Sequence, residues 1–236
     1  MKKFIPLILS VSFLAGCAAG EQSSGKTDPG QTEQTTQETE NGGQEVSAFA
    51  AEVEKNMFGE EPPEFLSEEN QRLFEKAEFI TYSTFVMAGF GMVPDQDRTT
   101  TDFEMSENFG YAYETDYMYS DLEDFIASVF TGEALENLKQ NPGSYYETGD
   151  GRLCWVDAAR GTNIFYVDKT FELVSETDDK IEFKAIANYS GEYMYGSEEE
   201  FINSGAEGPY EWSEEYNFEL VNTDDGWRVS KFEYWK

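Results

Sequence analysis

Apolar positions along this chain keep two rhythms, a helical one from about residue 46 to 140 and an alternating one beyond it. Val46, Phe49, Ala50, Val53 and Met57 share one side of a 3.6-residue repeat and predict a first helix over 46–58, ended by Glu60-Glu61-Pro62-Pro63. Ser67 is placed to cap a longer helix running to about Val86, with Leu73, Phe74, Ala77 and Ile80 on its buried stripe. The run Ala88-Gly89-Phe90-Gly91-Met92-Val93-Pro94 ends that helix in a glycine-punctuated loop, whose Phe90, Met92 and Val93 are expected to plug a core. Tyr111, Tyr113, Tyr117 and Tyr119 suggest an extended stretch. Ser120-Asp121-Leu122-Glu123 then carries the S-x-x-E capping box, followed by Leu122, Phe125, Ile126 and Val129 at helical spacing. Thr131 starts a short helix through Leu138, closed by Pro142-Gly143.

Beyond Tyr145 the period is two. Gly149-Asp150-Gly151 predicts a hairpin turn into Leu153–Val156, and a strand over 164–174 meets one over 181–189 across Glu176-Thr177-Asp178-Asp179. On the latter strand Ile181, Phe183, Ala185, Ala187 and Tyr189 alternate with Glu182, Lys184 and Asn188, leaving Ile186 as the exception; this marks an antiparallel sheet with one wet face. Tyr216, Phe218 and Leu220 alternate likewise before the turn Thr223-Asp224-Asp225-Gly226. A parity change between Trp227/Val229 and Phe232/Tyr234 predicts a bulge. Helices first and strands last predict an α+β fold, N-terminal helices packed on a curved antiparallel sheet, as a single domain over 46–236 or a two-lobed form of it.

Composition changes the picture at the N-terminus. Met1-Lys2-Lys3 followed by an apolar run from Phe4 to Leu14, too short to span a bilayer, reads as a secretory signal. Leu14-Ala15-Gly16-Cys17 resembles the lipobox of bacterial lipoproteins. The resemblance implies a signal peptide over 1–16, acylation of Cys17 as the mature N-terminus, and an extracytoplasmic protein held to the bacterial cell membrane by lipid. An ordinary signal with a small-residue cleavage site is the alternative. Residues 18–45 hold no hydrophobic side chain except Ala18 and Ala19, so 17–45 is expected to be an acylated Cys with a disordered polar tether, about 30 Å in root-mean-square span. Its six acids and one Lys disfavour anionic lipid surfaces.

Charge then excludes whole classes of function. The 236 residues carry 48 Asp+Glu against 16 Lys+Arg, and no His. Without His there is no Ser-His-Asp or Cys-His catalysis and no His-ligated metal centre. A formal charge of −32 opposes nucleic-acid binding, which draws its affinity from Lys and Arg. The stretch 46–236 holds 42 acidic and 13 basic side chains, a formal −29, and would steer a cationic partner or serve solubility alone. Close carboxylate pairs occur by sheer abundance and do not nominate a glycosidase. Asp95-Gln96-Asp97 opens like a calcium loop but lacks the Gly at the sixth position. Walker, GxSxG and GxGxxG motifs are absent from the sequence. Cys154, in Leu153-Cys154-Trp155-Val156, reads as a buried inert thiol rather than a nucleophile. No enzyme activity and no cofactor are therefore expected.

One segment offers candidate binding residues. The insertion-like loop from Gly196 to Pro209 holds Glu198-Glu199-Glu200-Phe201, with Tyr210 and Trp212 just beyond it. Acids beside aromatics could form a docking rim for a basic protein; equally, the aromatics could line the sheet core while the acids face water.

The run Phe130-Thr131-Gly132-Glu133-Ala134-Leu135, then Gly151-Arg152-Leu153, then Asp225-Gly226-Trp227-Arg228-Val229 resembles Gram-positive surface proteins of the DL-endopeptidase inhibitor type. It is similar as well to the wider nuclear-transport-factor-like or cystatin-like lipoprotein domains. The resemblance implies a non-catalytic protein that restrains a basic peptidoglycan hydrolase of the cell wall. The broader likeness implies instead a small-molecule or peptide binding module, and an envelope adhesin or assembly factor is a further alternative. The segment 196–215 has no counterpart in the inhibitor pattern, so no contact residue is carried over.

Overall fold

Two serines open the first two helices of the computed structural model, which describes residues 47–157, 161 and 163–234. All of these fall within the unit Gln44–Lys236; Cys17, the expected signal peptide and the tether lie outside the described residues. Ser47 Oγ accepts from Ala50 N (3.1 Å) at the start of α1 (Ala48–Asn56), and Ser67 Oγ from Asn70 N (3.3 Å) at the start of α2 (Glu68–Phe85). Glu68 and Glu69 in the first turn of α2 add carboxylates where the helix dipole favours them. Replacing Ser67 by Ala is expected to cost about 1 kcal/mol, read from a urea titration as a lower midpoint at unchanged slope.

The predicted stripe of α2 is buried as expected: Leu73, Phe74, Ala77 and Ile80 all lie in the core. The loop after α2 splits the expectation. Phe90 is fully buried and stacks on Tyr145 at 4.9 Å, whereas Val93 is exposed. Gly89, Phe90 and Gly91 all have positive φ (92°, 49° and 70°), so the chain makes a left-handed kink that turns one aromatic ring inward. Tyr145 Oη anchors the kink, accepting from Gly89 N (2.9 Å) and lying 3.3 Å from the Ser83 carbonyl.

A first antiparallel sheet takes strands β1 (Thr99–Thr100), β2 (Ala112–Met118), β3 (Tyr145–Glu147) and β4 (Arg152–Trp155) in the order β1-β2-β4-β3. Between them lie α3 (Ser106–Phe109), α4 (Tyr119–Val129) and α5 (Gly132–Gln140). The capping box expected at Ser120 does not form. Met118 stays extended because it pairs with Arg152 of β4, and Asp121 Oδ2 accepts the Met118 N–H at 2.8 Å, so α4 starts one residue before Ser120. Leu122, Phe125, Ile126 and Val129 are nevertheless its buried face.

The second sheet is a meander of β5 (Tyr166–Glu176), β6 (Lys180–Ser190), β7 (Glu211–Thr223) and β8 (Gly226–Phe232), in that order and antiparallel throughout. Residues of β6 alternate buried and half-buried along their whole length, with Ile186 on the wetter side as the sequence pattern implied. Register slips between Glu219 and Leu220 in the β7–β8 ladder, the bulge announced by the parity change. The outer face is an ion ladder. Lys184 reaches Glu172 (3.3 Å) and Glu215 (2.8 Å), while Lys180 reaches Glu182 (2.7 Å) and Glu219 (3.1 Å). Ser230 Oγ also donates to Glu219 Oε1 at 2.6 Å, and this bond with Lys180 holds the Glu219 carboxyl below its usual range. The stabilisation it supplies is present above the ordinary glutamate range and is lost as pH falls through the lowered value.

Seven helices and two antiparallel sheets among the described residues, one sheet strongly curled, make an α+β fold with helices on a curved sheet. One hydrophobic core joins them: Tyr113, Leu153 and Trp155 of the first sheet share it with Phe183, Phe218 and Val229 of the second. The turn between α4 and α5 ties the two together, with Thr131 N donating to Val229 O at 2.9 Å. Among the described residues no helix is long and apolar enough to cross a membrane.

Candidate functional site

The segment between β6 and β7 folds as two short helices, α6 (Glu192–Tyr195) and α7 (Glu198–Asn203), where the sequence reading expected a loop. Ser197 Oγ caps α7 by accepting from Glu200 N (3.2 Å), which turns Glu198, Glu199 and Glu200 out to solvent. Phe201 takes the opposite side. It is buried between Tyr195 (5.0 Å) and Tyr210 (5.8 Å), a three-ring plug that seats the helices on the sheet. Gly191 is needed there, since a Cβ at that position would lie 2.9 Å from the Tyr210 ring.

The six expected binding residues therefore divide. Glu198, Glu199 and Glu200 are surface carboxylates, Phe201 and Tyr210 are brought together as packing, and Trp212 stacks on Tyr189 at 5.2 Å. Trp212 Nε1 also donates to Glu214 (3.1 Å), whose other oxygen accepts from Tyr216 Oη at 2.6 Å. Phe201 is thus no docking anchor. The apolar side chains that do face solvent are its neighbours Tyr193, Met194 and Ile202, at 82%, 52% and 66% exposure. Helices of four and six residues are too short for periodicity to single these out, although the flanking acids marked the region.

A second constellation was not foreseen. Lys169 on β5 points to the inside of the meander, and its ammonium pairs with Glu60 Oε2 (2.5 Å) and Glu78 Oε1 (3.5 Å). The Lys169 side chain is 4% exposed and that of Glu78 3%. Tyr166 Oη donates to the same Glu60 oxygen at 2.9 Å; burial, then this bond, pushes the Tyr166 phenol well above its ordinary range. The sequence held a faint signal of this group, for Glu78 interrupts the apolar stripe of α2 and Lys169 shares the inward parity of Phe171.

Glu60 and Glu78 also form part of the wall of a cavity of about 530 Å³ beside α2 and the start of β5. Phe58, Phe79, Tyr82, Ile164 and Tyr193 supply most of the remainder. A mostly aromatic wall with a few convergent polar groups has the size and character of a small-ligand site.

Elsewhere, the remaining thiol offers no nucleophile: burial, with Glu114 and Asp102 nearby, pushes Cys154 up to about 12. Among the described residues no group of three or more Cys, Asp and Glu is placed to hold a metal ion. Compared with family models and with curated proteins, the chain has no match.

Proposed function

We propose that this is a lipid-anchored, extracytoplasmic, non-catalytic binding protein that docks and restrains a basic peptidoglycan hydrolase of the DL-endopeptidase type. The observation that carries the reading is the exposed apolar trio Tyr193, Met194 and Ile202, set beside Glu192, Glu198 and Glu199 in a stretch of formal charge −29. Such a surface suits a cationic partner: the field steers the encounter, and desolvation of the exposed side chains supplies the contact energy.

The chain, mixed with purified DL-endopeptidases, is expected to slow peptidoglycan cleavage at low salt and to lose potency as salt rises. Ile202→Asp is expected to raise the inhibitory concentration at least about tenfold, since it puts a charge into the contact. No inhibition of any such enzyme at low salt would overturn the proposal.

The aromatic cavity favours a second reading, a small-molecule or peptide binding module. Its mark would be a melting temperature that rises with a specific compound in a thermal-shift screen.

A further inference from the structure

We infer that the cavity beside α2 binds an alkylammonium group, an inference that rests on the second reading above and names its ligand class. Two independent features of the wall select a cation. The first is charge. Among the described residues the lining contributes two carboxyl groups, Glu60 and Glu78, and no cationic side chain; Lys169 meets the carboxyls from β5 outside that lining. One ammonium against two carboxyls gives the cluster a formal −1, in a place where Glu78 is almost wholly withdrawn from water. Buried charge of that kind is relieved by a further cation in the cavity.

The second feature is aromatic. Phe58, Phe79, Tyr82, Tyr166 and Tyr193 all contribute to the wall, and the negative faces of such rings attract ammonium groups and repel anions. Phe58 packs edge-on against Phe79 (5.2 Å) and Tyr82 (5.3 Å), so three rings are held at fixed angles rather than collapsed onto one another. Phe58 and Tyr193 remain exposed at the rim and would be covered by a bound group. The size separates an organic cation from a bare metal ion. About 530 Å³ is far more than a metal needs, and two carboxyl groups provide too few oxygens to cage one.

The ammonium could belong to a free small cation or to a lysine side chain of another protein. Isothermal titration of the full chain with choline, n-butylammonium and an acetylated, amidated Gly-Lys-Gly peptide separates the two, with 3,3-dimethylbutan-1-ol as the neutral isostere of choline. Saturable binding of choline or butylammonium is expected, with the neutral alcohol at least about tenfold weaker. Phe58→Ala and Glu60→Gln are each expected to weaken binding by about 3- to 30-fold, the range that 0.5–2 kcal/mol of lost cation–π or charge contact represents. Both residues are partly exposed, so circular dichroism should show the fold retained. Competition by the peptide assigns the ammonium to a protein side chain; binding of the small cations without it assigns a free ligand.

If the alcohol binds as tightly as choline, the ammonium inference falls and the cavity remains a binding site of other specificity. If none of the probes binds, or both variants bind like the parent, the inference is overturned. Met194→Ala and Ile202→Ala are expected to leave choline binding unchanged, which separates this site from hydrolase docking.

Discussion

Replacing Phe74 with alanine is expected to lower the unfolding free energy by about 3–5 kcal/mol, the range for deleting a fully buried aromatic ring. The position is unusual in what one side chain joins. Phe74 projects from α2, and its ring centroid lies 5.5 Å from Phe171 on β5 and 5.5 Å from Phe183 on β6. Phe218 on β7 is 5.4 Å away and Phe232 at the end of β8 is 5.6 Å away. One ring therefore touches all four strands of the curled meander. Three of the four contacts are edge-to-face, the arrangement in which aromatic pairs gain beyond the area they bury. The cavity left by alanine is bordered by rings fixed to hydrogen-bonded strands, which cannot close over it without bending the sheet. Phe74→Leu keeps much of the volume and is expected to cost about 1 kcal/mol. Urea titrations of the parent and both variants, at constant slope, provide the check. A loss below about 1 kcal/mol for the alanine variant would mean that α2 does not key the sheet.

The same position shows why the fold class was legible in the sequence. Phe74, Ala77 and Ile80 recur at helical spacing, and Ile181 through Tyr189 alternate. Each pattern reports a single element packing one face against a common core, and both survive in the folded chain. Even the bulge between β7 and β8 was written locally, as a change of parity.

What failed were local signals overruled by pairing across the chain. Ser120 has the right residue three positions on, but β4 holds Met118 extended and the helix takes Asp121 as its cap acceptor instead. Val93 belongs to the same apolar run as Phe90, yet the left-handed kink can turn only one of them inward. Phe201 looked like an anchor among acids, and is the plug that lets two short helices sit down.

The cavity was out of reach for a different reason. Glu60 and Lys169 are 109 residues apart, and no periodicity links a loop carboxyl to an inward lysine on a distant edge strand. A polar residue on an apolar stripe says that it has a partner without saying which one.

Lys169→Met tests that partnership, and is expected to cost about 3–5 kcal/mol, as removal of one member of a buried ion pair does. Methionine is unbranched and nearly as long, so little packing is lost and the effect is electrostatic. What remains is the Glu78 carboxyl, withdrawn from water, without the ammonium that faces it in the parent. The double variant Lys169→Met/Glu78→Gln removes the charge together with its partner and should recover most of the loss, because an apolar or neutral replacement of a buried pair is close to neutral. Lys184→Met on the outer face is the contrast. Its partners Glu172 and Glu215 are more than half exposed, water takes over their solvation, and the cost should stay below about 1 kcal/mol. The two lysines each bridge two carboxylates, so counting ion pairs predicts the same loss for both. Only burial separates them. A Lys169→Met variant as mild as Lys184→Met would show that water reaches the Glu60–Glu78 cluster freely. That result would remove the buried-charge half of the argument for a cation in the cavity and leave only the aromatic wall.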